Sequence, residues 1–504
     1  MRISVAVILF GIALSLFTPK ITLGESLSEV AADEILVKIR LGLPAEYDNV
    51  IIKGNLTSER LGMSAKQILR IPFEVKMSPY NEPKQVNSSI VIKNSVIDGK
   101  VDFNNTVFHE KVSFESILFL ENASFKHSVF NGCVTFANTT FMRAGNFSGS
   151  QFNGPADFSH VIFNKPAFFV STQFSEIADF CMTKFSSIAH LRGSQFAGHA
   201  SFIETEFCDY ADFVSSQFAT KAAFDRTYFR GDANFMGSSF NQFAEFNNSE
   251  FKNNTSFKRA NFAGSAQFLA PIFNDTVDFI SVKFDQDISF KQAQFRGQAS
   301  FEGSKFNGLA EFNECSFLEG ASFGKSVFLN DIVFNSTVFR GLVDFAWSDF
   351  MRFADFSGSQ FVSNADFSNT NFCGPADFSR SVFSEKANFH AAEFKRAIYL
   401  ENCRINDLNL TNTRYKWLYL HWDSINHLEF DDAAYRMLIN NYNQLQWQKD
   451  SFDCHSTHMN AIIQAAYSNN CPWIMNGIRS IVSCTHVFAN SILTRLFKGT
   501  PIRF

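Results

Sequence analysis

Phenylalanine recurs along this chain at alternating steps of five and six residues, without a slip from Phe103, Phe108, Phe114 and Phe119 to Phe378, Phe383, Phe389 and Phe394. Counted from Ile92 and Ile97, the pattern makes 28 units of 11 residues, and 53 of its 56 positions are Phe. The exceptions are Ile92, Ile97 and Leu191. A helix of 3.6 residues per turn would scatter such steps around its cylinder, and the intervening Gly, Ser, Asn and Thr are poor helix formers. Two residues before the first Phe of a unit stands Ala in 18 of 28 cases, and before the second stands Ser or Thr in 20 of 28. Side chains two apart share one face of an extended strand, so the small residue and the Phe both face inward. If a corner follows each short strand, the chain winds into a coil in which Phe stacks on Phe and small on small, joined by parallel backbone hydrogen bonds. The expected interior stack includes Phe158, Phe163, Phe169, Phe174, Phe180, Phe185, Phe202, Phe213, Phe235, Phe312 and Phe378. The expected small inward residues include Ala156, Ala178, Ala200, Ala211, Ala233 and Ala376.

A chain of 504 residues is too long for one ordinary core, and 64 Phe point to repetition along an axis as the solution. The runs Ala156-Asp157-Phe158-Ser159, Ala211-Asp212-Phe213 and Ala376-Asp377-Phe378-Ser379 resemble the pentapeptide-repeat consensus A-[DN]-[LF]-x-x. That resemblance spans roughly residues 92–430 and implies an all-β fold, a right-handed quadrilateral parallel β-helix, here with short helical caps at both ends. One departure is clear: the family steps by five throughout, whereas here every second step is six. The extra residue predicts a coil of about 22 residues with a bulge at alternate corners. The plain five-step returns at Leu400, Ile405, Leu410, Tyr415, Leu420, Ile425 and Phe430. Fourteen 22-residue coils at a strand spacing of about 4.8 Å predict a rod of about 65 to 70 Å.

The ends read differently. Met1-Arg2, the apolar run Ile3 to Phe17 and the small residues Thr22 and Gly24 read as a secretory signal peptide over residues 1–24, the run being too short for a bilayer span. Residues 25–91 read as an N-terminal helix and strand cap. Ser26-x-x-Glu29 suggests a capping box, Val30, Ile35, Leu36 and Ile39 an amphipathic helix, Gly42 and Pro44 its end, and Val50 to Ile52 a first strand. Residues 431–504 read as a helical C-terminal cap, with Tyr435, Leu438, Tyr442, Leu445 and Trp447 near helical spacing, followed by an apolar tail from Trp473 to Phe497.

No catalytic, cofactor or metal site is expected. An enzyme needs polar groups converging in a hollow, usually on loops, and the unbroken count between 92 and 430 leaves no loop to supply them. Twelve residues just before the first Phe of a unit are Asp or Asn, including Asp344, Asp355, Asp366 and Asp377. Stacked carboxylates suggest a cation, but short polar side chains at tight corners are the simpler reading. His199 and His390 read as wall or corner residues, and Cys454-His455 with His458 lacks a fourth ligand at zinc spacing. Six of nine Cys (Cys133, Cys181, Cys208, Cys315, Cys373, Cys403) are scattered singly and imply no disulfide framework, while Cys454, Cys471 and Cys484 are close enough for one bond. Asn-x-Ser/Thr occurs about a dozen times, for example at Asn55, Asn138, Asn146, Asn335 and Asn409, as expected where these residues are abundant.

The leader places the chain outside the cell or at its surface, as a non-enzymatic scaffold for an unknown protein or envelope component. Peripheral membrane contact through the tail and a homodimer are compatible with it. With 44 Lys and Arg against 49 Asp and Glu there is no reason to expect nucleic acid as a partner. The resemblance offers topoisomerase-binding DNA mimicry as a rival, but that calls for a strongly acidic cytoplasmic rod. A carbohydrate-active parallel β-helix would need clustered carboxylates on irregular excursions. Ice binding would need outward Thr ladders, whereas Thr here takes the inward position.

Overall fold

A computed structural model describes residues 27–62 and 82–468. The expected signal peptide, the apolar tail and the Cys471 and Cys484 half of the disulfide reading lie outside the described residues.

The chain forms a parallel β-solenoid of about 17 turns. In the repeat region each coil contributes four two-residue strands, such as Gln195–Phe196, Ala200–Ser201, Glu206–Phe207 and Ala211–Asp212. Each strand pairs in parallel with the strand 22 residues further on: Gln151 aligns with Gln173, and Phe152 with Phe174. Four ladders therefore run the length of the rod and define four walls, which we number by the Phe behind them: Phe103, Phe108, Phe114 and Phe119 and their successors.

Inside, the rings form four columns. Phe158, Phe180 and Phe202 stack at 5.0 and 4.9 Å between centroids, nearly parallel at 4° and 3°. Phe163 and Phe185 (5.1 Å), Phe174 and Phe196 (4.9 Å), Phe213 and Phe235 (4.7 Å), Phe312 and Phe334 (4.8 Å), and Phe356 and Phe378 (4.7 Å) repeat the arrangement. The first and third columns meet edge to face, as Phe158 and Phe169 do at 5.3 Å and 87°. Offset stacking within a column and T-shaped contact between columns are the two arrangements that ring quadrupoles favour. Ala156, Ala178, Ala200, Ala211, Ala233 and Ala376 are all buried beside these columns. Leu191 is buried between Phe169 and Phe213, the one gap in the first column.

Two devices turn the corners. Within each five-step, the residue two past the first Phe has positive φ in all 28 units, from Asn94 to Ala391. Five of these residues are Gly, and none is Val, Ile or Thr, whose branched Cβ tolerates this region worst. A backbone bond such as Ser128 N to the Phe125 carbonyl (3.2 Å) closes the turn, which has the φ pattern of type II. The sixth residue of the longer step sits at the other corner. Where the five-step returns, the pairing of Phe383 with Ile405 gives way to Lys386 with Asp407, one residue lost at the corner, and Ile405 then pairs with Ile425, 20 residues on.

The inward Ser and Thr have a specific partner. All eighteen of them from Ser128 to Ser381 donate their hydroxyl to the carbonyl of the column residue 25 positions earlier, a Phe in every case but Ser216, which meets Leu191; Thr205 to Phe180 spans 2.7 Å and Ser238 to Phe213 spans 2.6 Å. That carbonyl also accepts the turn N–H, so both its lone pairs are used. Cys315 and Cys403 occupy the same position and direct their thiols at Phe290 and Phe378 in the same way. Thr205→Val keeps the volume and removes the donor, so it is expected to cost about 1 kcal/mol in denaturant unfolding, with Thr205→Ser nearer the parent.

Both ends depart from expectation. Ser28–Ala31 is a strand paired with Val50–Lys53, not the start of a capped helix, so the solenoid begins before residue 92 and Val50 to Ile52 is not its first strand. Helix α1, Ala32–Arg40, follows with Ala31 at its N-cap and no side-chain cap bond. The local Ser26-x-x-Glu29 pattern lost to pairing with a strand some 20 residues away, which satisfies whole rows of backbone groups at once. Ile35, Leu36 and Ile39 do bury against the first coils, whereas Val30 belongs to the strand, and Gly42 ends the helix at φ 71°. At the other end the last strand is Ile425–Leu428, and Phe430 is 47% exposed rather than interior. Helix α2 spans Asp432–Gln444 and α3 spans Gln448–Ser468. Asp431 caps α2 by accepting from Ala433 N, and Tyr435, Leu438 and Tyr442 close the open cross-section. Leu445 is the C-cap, and Trp447, beyond the helix, stacks on His421 at 4.3 Å.

Candidate functional site

Because the interior is filled by rings, any function rests on the outer walls, the corners and the ends. The wall carboxylates are the first candidates. In all twelve units with Asp or Asn before the first Phe, Oδ1 accepts the backbone N–H two residues on, for example Ser159 N to Asp157 (2.9 Å), Ser357 N to Asp355 (2.8 Å) and Ser379 N to Asp377 (2.8 Å). This is an Asx turn, in which the side chain caps the corner it stands on. Carboxylates of successive coils do stack, as Asp344 over Asp366 and Asp355 over Asp377. No group of three or more metal-ligating side chains occurs among the described residues.

Asp344 shows the cost of this arrangement. Partial burial, only partly offset by the Ala346 N–H and reinforced by Asp366, raises its pKa. A carboxyl with a raised folded pKa binds protons more readily folded than unfolded, so its contribution is present in acid and lost as pH rises through that pKa. Asp344→Asn keeps the capping oxygen and removes the charge. It is therefore expected to raise the melting temperature at pH 7 and to lose that advantage toward pH 4; equal shifts at both pH values would contradict this.

The other reactive groups are also held within the scaffold, although His199 Nε2 is covered without a hydrogen-bond partner. His390 Nδ1 lies 2.6 Å from Thr411 Oγ1. His199 is half-buried at a corner, its pKa lowered by burial and then by Lys221. His458 is buried against Asp432 (2.9 Å) and stacked on Tyr435, Cys454 one helical turn before it is buried with its thiol pushed up to about 12 by desolvation, and His455 is exposed, so the three do not form a ligand set. Burial likewise raises Cys403 to about 12, leaving it unreactive at neutral pH. One side of α2, from Ala433 to Gln444, leaves an open groove beside Lys416 and Trp417. Within it Asn441 both donates to the Leu418 carbonyl (2.8 Å) and accepts from its N–H (3.1 Å), sealing a strand edge as another strand would. No helix among the described residues is long and apolar enough to cross a membrane.

Side chains that elsewhere do chemistry are thus bound into a periodic scaffold of four walls. Comparison with family models gives the same reading from sequence: the model for pentapeptide repeats matches residues 103–151, 114–162, 271–316, 290–332 and 367–414. The chain belongs to the pentapeptide-repeat family. No curated protein and no solved structure gives a significant match. As a pentapeptide-repeat protein it is a β-solenoid scaffold of a kind that is generally non-enzymatic. The alternate six-step corners are its departure from the family's regular form.

The sequence pointed to the columns but missed the partners of the polar positions. The hydroxyl ladder had a signal, the preference for Ser or Thr before the second Phe against Ala before the first. The Asx turns had one in the preference for Asp and Asn over Glu and Gln at a single site.

Proposed function

We propose that this protein is an exported, non-enzymatic scaffold at the cell surface that presents its long walls to a protein or envelope component. The observation that carries this reading is the use of the walls' own polar groups: Asp and Asn cap corners, Ser and Thr brace the coil, and what remains outward is a smooth repeating surface of mixed charge. Such a surface suits extended contact along many coils rather than chemistry at one point. The near balance of charge favours neither a polyanion nor a strongly acidic partner.

Fractionation of the producing cell tests location, comparing the full chain with one lacking residues 473–504. The full chain is expected in the envelope or medium, and retention of both forms in the cytoplasm would overturn the proposal. Capture on immobilised full-length protein should then enrich a surface component from envelope extract; enrichment of topoisomerase instead would favour DNA mimicry.

A further inference from the structure

The second wall differs from the other three. From Val129 to Ala263, over seven coils, neither outward position flanking its inward Phe carries a charge. Over the same stretch the first wall carries Arg192 and Asp212, the third Asp157 and Asp179, and the fourth Lys184 and Glu206. Along it Gln151, Gln173, Gln195 and Gln217 stand exposed in one ladder, one above another. Five of the seven rows pair a longer side chain before the Phe with a shorter one after it, as Gln173 with Ser175, Gln195 with Ala197 and Gln217 with Ala219, while Val129 with Asn131 and Ser239 with Asn241 run the other way. Where charge returns the row is Lys283 with Asp285, an ion pair at 2.9 Å. Further up it is Val327 with Leu329. Asn261 Oδ1 and Asn307 Oδ1, on this same wall, are covered by protein yet accept no hydrogen bond.

We propose that the second wall is the contact face of a side-by-side homodimer whose two-fold axis runs along the solenoid. Such an axis lays each row on the same row of the other copy and exchanges its two sides. Gln195 then covers Ala197 of the partner subunit, and Gln217 covers Ala219 of the partner subunit, long into short at each level. Lys283 meets Asp285 of the partner subunit, and Val327 meets Leu329 of the partner subunit. Amides carry both donor and acceptor, so an uncharged amide ladder complements itself, and its repeat holds the register at every coil. The row of Asp349 with Met351 is the one without a good counterpart. Contact from Gln151 to Asn371 would run about 48 Å along a wall about 12 Å wide, burying about 1,200 Å² over both copies, the lower edge of a specific interface. A second copy is therefore a better fit to this wall than a charged partner, which would find no opposite charge over seven coils.

Sedimentation equilibrium of the full-length chain at about 1 to 100 µM is expected to show a dimer. Ala197→Arg with Ala219→Arg fills the short side of two rows with buried charge and is expected to weaken it at least about tenfold, while Ser186→Arg on the fourth wall leaves it unchanged. Lys283→Glu should weaken it, and adding Asp285→Lys should restore it, with the melting temperature followed alongside because the same two residues also pair within one chain. Under oxidation Gln195→Cys with Ala197→Cys is expected to yield a covalent dimer that Gln195→Cys alone does not. A monomer at the highest concentration overturns the proposal, as does a dimer indifferent to these changes. Equal cross-linking by the single cysteine would overturn the row-on-row geometry.

Discussion

Replacing Phe180 by Ala is expected to cost about 3 to 5 kcal/mol, the largest effect of any single side chain in the walls. Phe180 stacks on Phe158 below and Phe202 above at 5.0 and 4.9 Å and meets Phe169 edge-on at 5.3 Å. Its removal therefore breaks one column and leaves a void that the ladders above and below cannot close, since their spacing is set by backbone bonds. Because each coil contacts only its neighbours, the loss should appear as earlier unfolding near the site, with nearest-neighbour coupling deciding how far it spreads. Peptide-resolved hydrogen exchange in denaturant would locate it; unchanged stability would contradict the packing described. Leu191 gives the reciprocal case, since Leu191→Phe restores the interrupted column and is expected to stabilise by about 1 kcal/mol.

The second large effect is expected at a corner. Gly264 lies one coil above Gln242, and a Cβ at Gly264 would stand 2.0 Å from the Gln242 carbonyl oxygen. The obstacle is the corner backbone of the coil below, not a side chain that could swing away. Gly264→Ala is expected to cost about 1 to 3 kcal/mol by forcing two coils apart locally. Gly341 over Glu319 and Gly374 over Arg352 repeat the close approach at 2.2 Å. Gly237, in contrast, has positive φ but its Cβ would meet only Ser215 Oγ at 3.7 Å, and Ala270 already occupies the equivalent φ 51°. Gly237→Ala should therefore be the milder change in the same melting experiment.

The solenoid was legible because a single residue type marks the interior at a fixed step, and one out-of-register residue would have thrown every later Phe to the outside. The extra corner residue was legible too, as the difference between steps of five and six, and the register change between Phe383 and Lys386 shows where it goes. The polar code was harder to read. The bond from Asp355 to Ser357 N is local, but the one from Thr205 to the Phe180 carbonyl joins residues 25 apart, and only the closed coil brings them together. The positive-φ corners could have been found by noting what is missing from them: across 28 units no β-branched residue occurs there. At the ends the repeat gives no guidance, so Ser26-x-x-Glu29 was judged on local helix chemistry while the strand Ser28–Ala31 depended on distant residues.

Thiol labelling at paired neighbouring positions tests the inward and outward alternation most directly. Cysteine is already accommodated at the inward hydroxyl position, as Cys315 and Cys403 show, so Ser216→Cys, Thr227→Cys and Ser238→Cys should fold normally. Read by peptide mass, these three thiols are expected to stay unlabelled until the protein is denatured. Gln217→Cys, Tyr228→Cys and Ser239→Cys, one residue further on, are expected to label at nearly the rate of a free thiol in dilute monomeric protein, the condition being needed because Gln217 and Ser239 lie on the proposed dimer face. Comparable labelling of both sets in the native protein, or the reverse order, would contradict the Phe-lined solenoid.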